Sequence, residues 1–188
     1  MTRWLNWDAL MAIQQWQARG VQLDLERAAL WHHTPMQAAL ALPVPWIEIG
    51  AETFVAYPPA AQRAMGFALV RRRRGRPEAD IAFLAPALDA DADAVSIWYR
   101  LLAECSHALG ARGIQRLFVE APSGDVAEQI FATCGFSVYT REDVYRLAVQ
   151  PRGTRSEKIL RHQRLRDGWN LLRLYGQLTP RPVQLAEG

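Results

Sequence analysis

Three aspartates at alternate positions, Asp89, Asp91 and Asp93, lie in the stretch Pro86-Ala87-Leu88-Asp89-Ala90-Asp91-Ala92-Asp93-Ala94, just ahead of a helical pattern. Carboxylates so spaced have two uses. They cap a helix and favour the positive end of its dipole, or they offer oxygen ligands to a hard cation. The glycine and closing glutamate of a calcium loop are missing, so capping is the stronger expectation and no metal site is assigned. A second concentration of charge, Arg71-Arg72-Arg73-Arg74-Gly75-Arg76-Pro77, puts five arginines at the tip of an expected hairpin. Such a field attracts phosphate, yet charge on a sheet edge also deters edge pairing. No aromatic residue at the tip offers a base to stack on, so a solvated turn is the favoured reading. His32-His33 is too little to define a metal site, and His107 falls among polar neighbours in a helix. Cys105 and Cys134 lie on apolar helical stripes, as buried reduced thiols do.

These groups need elements to hold them. Ile81-Ala82-Phe83-Leu84-Ala85 reads as a strand. Val95, Trp98, Leu101, Leu102, Cys105, Ala108 and Leu109 recur at helical spacing until Gly110 and Gly113. Ile114–Val119 is the next strand. Ser123 then caps a shorter helix with Val126, Ala127, Ile130, Phe131 and Cys134 on its stripe. Gly135 stops that helix at the C′ position, and Phe136 opens a further strand. Earlier in the chain, Asn6 or Asp8 caps a helix through Leu10, Met11, Ile13 and Trp16 that Gly20 ends. Leu23 to Trp31 reads as a second helix, and Thr34-Pro35 starts a short turn. Strands are expected at Trp46–Ile49, Thr53–Tyr57 and Met65–Val70, and again at Ser137–Thr140 and Val144–Val149.

The strand-helix-strand-helix-strand order resembles the second half of the GNAT acyltransferase fold. The spacing Gly124-x-x-Ala127-x-x-Ile130-Phe131-x-x-x-Gly135-Phe136 is similar to that family's Asn-x-x-Ala-x-x-Leu-Tyr-x-x-x-Gly-Phe. The resemblance implies an α/β fold, with a mixed, mostly antiparallel twisted sheet flanked by helices. It implies transfer of an acetyl or other acyl group from acyl-CoA to a small-molecule or peptide amine. The backbone of Leu84, Ala85, Pro86 and Ala87 would meet the acyl and pantetheine parts of the cofactor. Ala92, Ala94, Gly124, Ala127 and Phe131 would complete the cofactor site. The family turns glycine-rich backbone N–H groups toward the CoA pyrophosphate, whereas this chain has carboxylates there. Where the family has Tyr as an acid this chain has Phe131, which has no proton to give. Catalysis would then fall to Glu120 as base, ahead of Glu48 or Glu52, with Tyr139 as the alternative acid.

Half of the 188 residues are apolar, and the formal net charge is only +3. A substantial core is therefore available, and nucleic acid is disfavoured as a partner. No apolar run reaches the roughly 18 residues of a membrane span, and the N-terminus lacks the apolar core of a signal peptide; a cytoplasmic location is expected. The expected division is residues 1–150 as the GNAT-like domain and 151–188 as linker and helical tail. Trp7–Ile13 and Trp169–Tyr175 each begin with Trp and continue with apolar periodicity, and Thr34-Pro35 and Thr179-Pro180 follow. A faint repeat or the start of a second unit fits this, as does chance. Three functions stay open: an acyl-CoA-dependent N-acyltransferase, a catalytically inactive GNAT-like ligand-binding or protein-interaction domain, and a basic module contacting nucleic acid through Arg71–Arg76. A homodimer is left open.

Overall fold

The computed structural model describes residues 14–24, 52–57, 65–143, 145 and 161–187. The expected first helix before residue 14, the second helix beyond Asp24, the turn at Thr34-Pro35, the strand 46–49, most of the strand 144–149 and the segment 151–154 lie outside them. So do Glu48 and His32-His33. The chain forms two compact units, Met1–Phe136 and Ser137–Gly188.

The first unit is built on β4 (Glu78–Ala85), which reads as an apolar run because helices or sheet neighbours cover it on every side. Its other strands are β1 (Val21–Gln22), β2 (Glu52–Ala56), β3 (Gly66–Arg72) and β5 (Arg116–Val119). The order is β1-β4-β3-β2, with β5 also paired to β4. All pairs are antiparallel except β4 with β5. The result is a mixed, mostly antiparallel open sheet flanked by helices, consistent with a GNAT-like fold.

Side chains alternate across this sheet. Phe54, Ala68, Val70, Ala79, Ile81 and Leu84 face α1 (Ala94–Gly110) and α2 (Val126–Thr133) in the main core. Trp16, Phe67, Leu69, Phe83 and Ala85 form a smaller cluster, in which Phe67 and Phe83 stack with ring centroids 5.3 Å apart. Trp98, Leu102, Cys105, Ile130 and Phe131 are all buried as their spacing predicts. Phe131 lies 5.8 Å from the Trp98 ring and 5.5 Å, edge-on, from Phe136.

The end of α2 explains the Gly-Phe pair. The Gly135 N–H donates to Ala132 O and the Phe136 N–H to Phe131 O, each at 3.0 Å. This double bond pattern needs a left-handed residue, which Gly135 supplies at φ 91°. The Phe131–Phe136 ring contact is its apolar clasp.

Three expectations are corrected. Ser123 does not cap α2; Asp125 does, its Oδ1 accepting from the Val126 N–H at 2.6 Å. Phe136 does not begin a strand, and none is formed over 136–143, because its N–H and ring are already used in closing the helix. Leu23 does not begin a helix. Its N–H donates to Ala82 O at 2.9 Å, continuing the pairing of the strand Val21–Gln22 against β4.

In the second unit, α3 (Gly168–Leu178) and α4 (Arg181–Glu187) follow a 3₁₀ turn at Leu165–Asp167. Gly168 is the first residue of α3, where a glycine costs less than in the interior. Arg161 pairs with Asp167 at 2.6 Å and holds its carboxyl below the usual range. The Gln184 amide joins the two helices, donating to Gly176 O and Thr179 O. Among the described residues no helix is long and apolar enough to cross a membrane.

Because Phe131 anchors the main core, Phe131→Ala is expected to cost about 3–5 kcal/mol in chemical denaturation. Val126→Ala on the exposed face of the same helix should stay within about 0.5 kcal/mol. Equal effects from the two substitutions would show the α2 register to be wrong.

Candidate functional site

Strand β4 changes partner halfway along one edge. Its parallel ladder with β5 runs from Glu78 opposite Arg116 to Ile81 opposite Val119 and stops there. On the other edge, Val70 faces Ile81 but Leu69 faces Phe83, so Ala82 is an extra residue in β4. A bulge of this kind bends a strand and increases its twist. Beyond it the ladder with β5 ends, and the fork between the carboxyl ends of the two parallel strands, called the crevice below, is where such sheets hold ligands.

Residues 19–24 run into this crevice. Val21 faces Leu84 and Gln22 faces Phe83. Leu23 touches both walls, donating to Ala82 O at 2.9 Å and accepting from the Glu120 N–H at 3.3 Å. The Ala87 N–H donates to Arg19 O at 2.5 Å. Only glycine fits at position 20, since a Cβ there would lie 2.3 Å from the Phe83 ring and 2.8 Å from Leu84 O. Asp24, 7% exposed, receives Arg71 Nη1 at 2.5 Å.

The loop between β4 and α1 forms the crevice mouth. Trp98 Nε1 donates to Pro86 O at 2.8 Å and fixes where the loop begins. Asp91, rather than Asp93, does the capping: its Oδ1 accepts from the Asp93 N–H at 2.8 Å. The Asp93 side chain makes no capping bond, and Ser96 Oγ donates to Asp93 O. The N-terminus of α1 thus already has a carboxylate on one of its free N–H groups. Among the described residues no group of three or more His, Cys, Asp or Glu is placed to hold a metal.

Of the residues singled out from the sequence, Leu84, Ala85 and Pro86 are fully buried, Ala87 is half-buried, and Ala92 is exposed beside buried Ala94. Glu120 directly follows β5 and is exposed, with its backbone N–H bonded to Leu23 O. Gly124 is exposed in the turn before α2, its N–H donating to Glu128 Oε2 at 2.8 Å. Ala127 and Phe131 are core residues. Glu52, at the start of β2, pairs with Arg112 and is separated from β4 by β3. Tyr139 belongs to the second unit, where its hydroxyl donates to Glu187 Oε1 at 2.9 Å. The sequence reading missed Arg19–Asp24, because a two-residue strand leaves no periodic trace. Gly20 was the available signal, and it reads equally well as a helix stop.

The expected arginine tip proves to be partly internal. Arg71 pairs with Asp24, and Arg73 reaches Asp80 at 2.7 Å and Glu78 at 3.5 Å. Arg76 and Arg116 lie 3.6 and 3.3 Å from the same Glu78, whose side chain is 4% exposed. Arg73 also stacks over Phe118, 4.0 Å from its ring centroid.

No protein-family model matches this chain, and no curated protein matches it. Among solved structures it is similar to a crystal structure of a probable acetyltransferase. The two are 16% identical, with a TM-score of 0.46, covering 71% of this chain and 99% of the other.

Neither thiol is prepared for nucleophilic chemistry. Burial, with Glu104 and Glu52 nearby, drives the Cys105 thiol far above its ordinary range, and burial also raises Cys134. At pH 8 a disulfide thiol reagent should therefore label at most Cys134 in the native protein, and both thiols after denaturation. Two rapidly reacting native thiols would contradict this packing.

Proposed function

We propose that this chain is an acyl-CoA-directed protein of the GNAT N-acyltransferase type, with acyl carrier and amine acceptor meeting in the crevice between β4 and β5. The observation that carries the reading is the parting of β4 and β5 at Ala82, beside the N-terminus of the long helix α1. In this reading the edge of β4 from Leu84 to Ala87 meets the carrier, and the Glu120 carboxylate accepts the proton of the attacking amine. Tyr139, expected as the acid toward the leaving thiolate, lies in the second unit and is given no part in this crevice. Positioning and proton transfer are all such a reaction asks of the protein. The proposal includes a soluble cytoplasmic setting and a small-molecule or peptide amine.

A second reading, a ligand-binding or interaction domain without turnover, is favoured by the acidic loop. A pyrophosphate at the start of α1 would meet Asp91 on the N–H group it needs. Like charges about 4 Å apart near a surface repel by about 4 kcal/mol before solvent screening. The nucleic-acid reading is weakened by the acidic partners that Arg71, Arg73 and Arg76 already have.

Calorimetric titration with acetyl-CoA should accordingly give a dissociation constant of about hundreds of micromolar or weaker, each 1.4 kcal/mol of repulsion being tenfold. Asp91→Gly should tighten it. Release of free CoA in the presence of an amine panel tests turnover. Glu120→Gln is expected to lower that release by about 10²-fold or more at unchanged acetyl-CoA affinity. Binding without release for any amine would select the second reading.

A further inference from the structure

The crevice read above as the ligand site already holds an extended chain. Arg19 O, Leu23 N and Leu23 O bond to Ala87 N, Ala82 O and Glu120 N, and Val21 lies in the ladder opposite Leu84. These are the backbone groups on both walls that an amide-bearing arm would use. A buried amide or carbonyl left without a partner is costly, so the segment and such an arm exclude one another. The segment is also held unevenly. Leu23 is 1% exposed in the main core and Asp24 is locked to Arg71, whereas Gly20, Val21 and Gln22 are only half-buried.

Resting on the acyl-CoA reading, we propose that Arg19–Asp24 is a built-in occupant of the crevice, and that the amide-bearing arm of an acyl carrier enters only by displacing it. Leu23 and Asp24 are the fixed end, and Arg19–Gln22 is the part that peels from β4. The occupant explains why the β4 edge is closed as far as Ala87. Binding then includes the cost of freeing the occupant, which lowers apparent affinity by the fraction of molecules already open.

The test combines amide hydrogen exchange with calorimetry on the full chain, using coenzyme A as probe. Saturating coenzyme A should speed exchange of the Val21 and Gln22 amides in the native protein at least tenfold, while the Leu23 amide at the fixed end stays protected. In Gly20→Leu the new side chain collides with Phe83 and the Leu84 carbonyl. The Val21 and Gln22 amides should exchange fast without ligand, and coenzyme A should bind at least tenfold more tightly. Val21→Pro, which removes one ladder N–H without adding bulk near Phe83, should give the same pair of results if Gly20→Leu does not fold. A freed segment with unchanged or weaker coenzyme A binding overturns the occupant while leaving the acyl-CoA reading in place. No binding by any of the proteins, with the segment shown to be free, overturns the acyl-CoA reading and the occupant with it.

Discussion

Strand β4 carries one residue more than its partner, and the first unit is arranged around what Ala82 does to its edge. On the β3 side the ladder absorbs the insertion and continues to Ala85. On the other side it does not: β5 holds on only as far as Ile81, and a different piece of chain is needed from there. Backbone groups in the middle of a sheet cannot be left bare, which is why so short a strand as Val21–Gln22 is stable. Leu23 closes the fork, bonded to one wall through its N–H and to the other through its carbonyl. A local irregularity thus creates the crevice and, through the same unmet hydrogen bonds, recruits the segment that lies in it.

Charge is arranged with similar economy. Arg71, Arg73, Arg76 and Arg116 surround Asp24, Asp80 and Glu78, so the arginine-rich hairpin does not present its full charge to solvent. Buried Glu78 is tolerable because cations lie on several sides of it. The Asp24–Arg71 pair ties the segment in the crevice to strand β3. The acidic loop at the start of α1 is separate, and of its carboxylates Asp91 is used locally, on the Asp93 N–H.

Helices α1 and α2 were readable because their apolar stripes recur at helical spacing and because Gly113 and Gly135 mark their ends, both at positive φ. The mixed sheet was implied by the family resemblance that the strand-helix alternation carries. What could not be read depended on partners distant in sequence. Nothing in Ile81-Ala82-Phe83 announces that Ala82 is unpaired, since all three residues suit a buried strand. Leu23 fits a helical stripe and a sheet fork equally well, and only its bonds to Ala82 and Glu120, both remote in sequence, decide the matter. Arg71 looked solvated for the same reason, its partner Asp24 being remote in sequence. Asp125 displaced Ser123 as cap by a purely local margin, because the turn at Gly124 separates Ser123 from the helix.

The fork at Ala82 is tested most directly by inter-strand nuclear Overhauser contacts along β4 in an isotope-labelled full chain. The account predicts backbone contacts between Ile81 and Val119 and, past Ala82, between Leu84 and Val21. Contacts running on from Phe83 and Leu84 to the residues after Val119, with none to Val21, would contradict it.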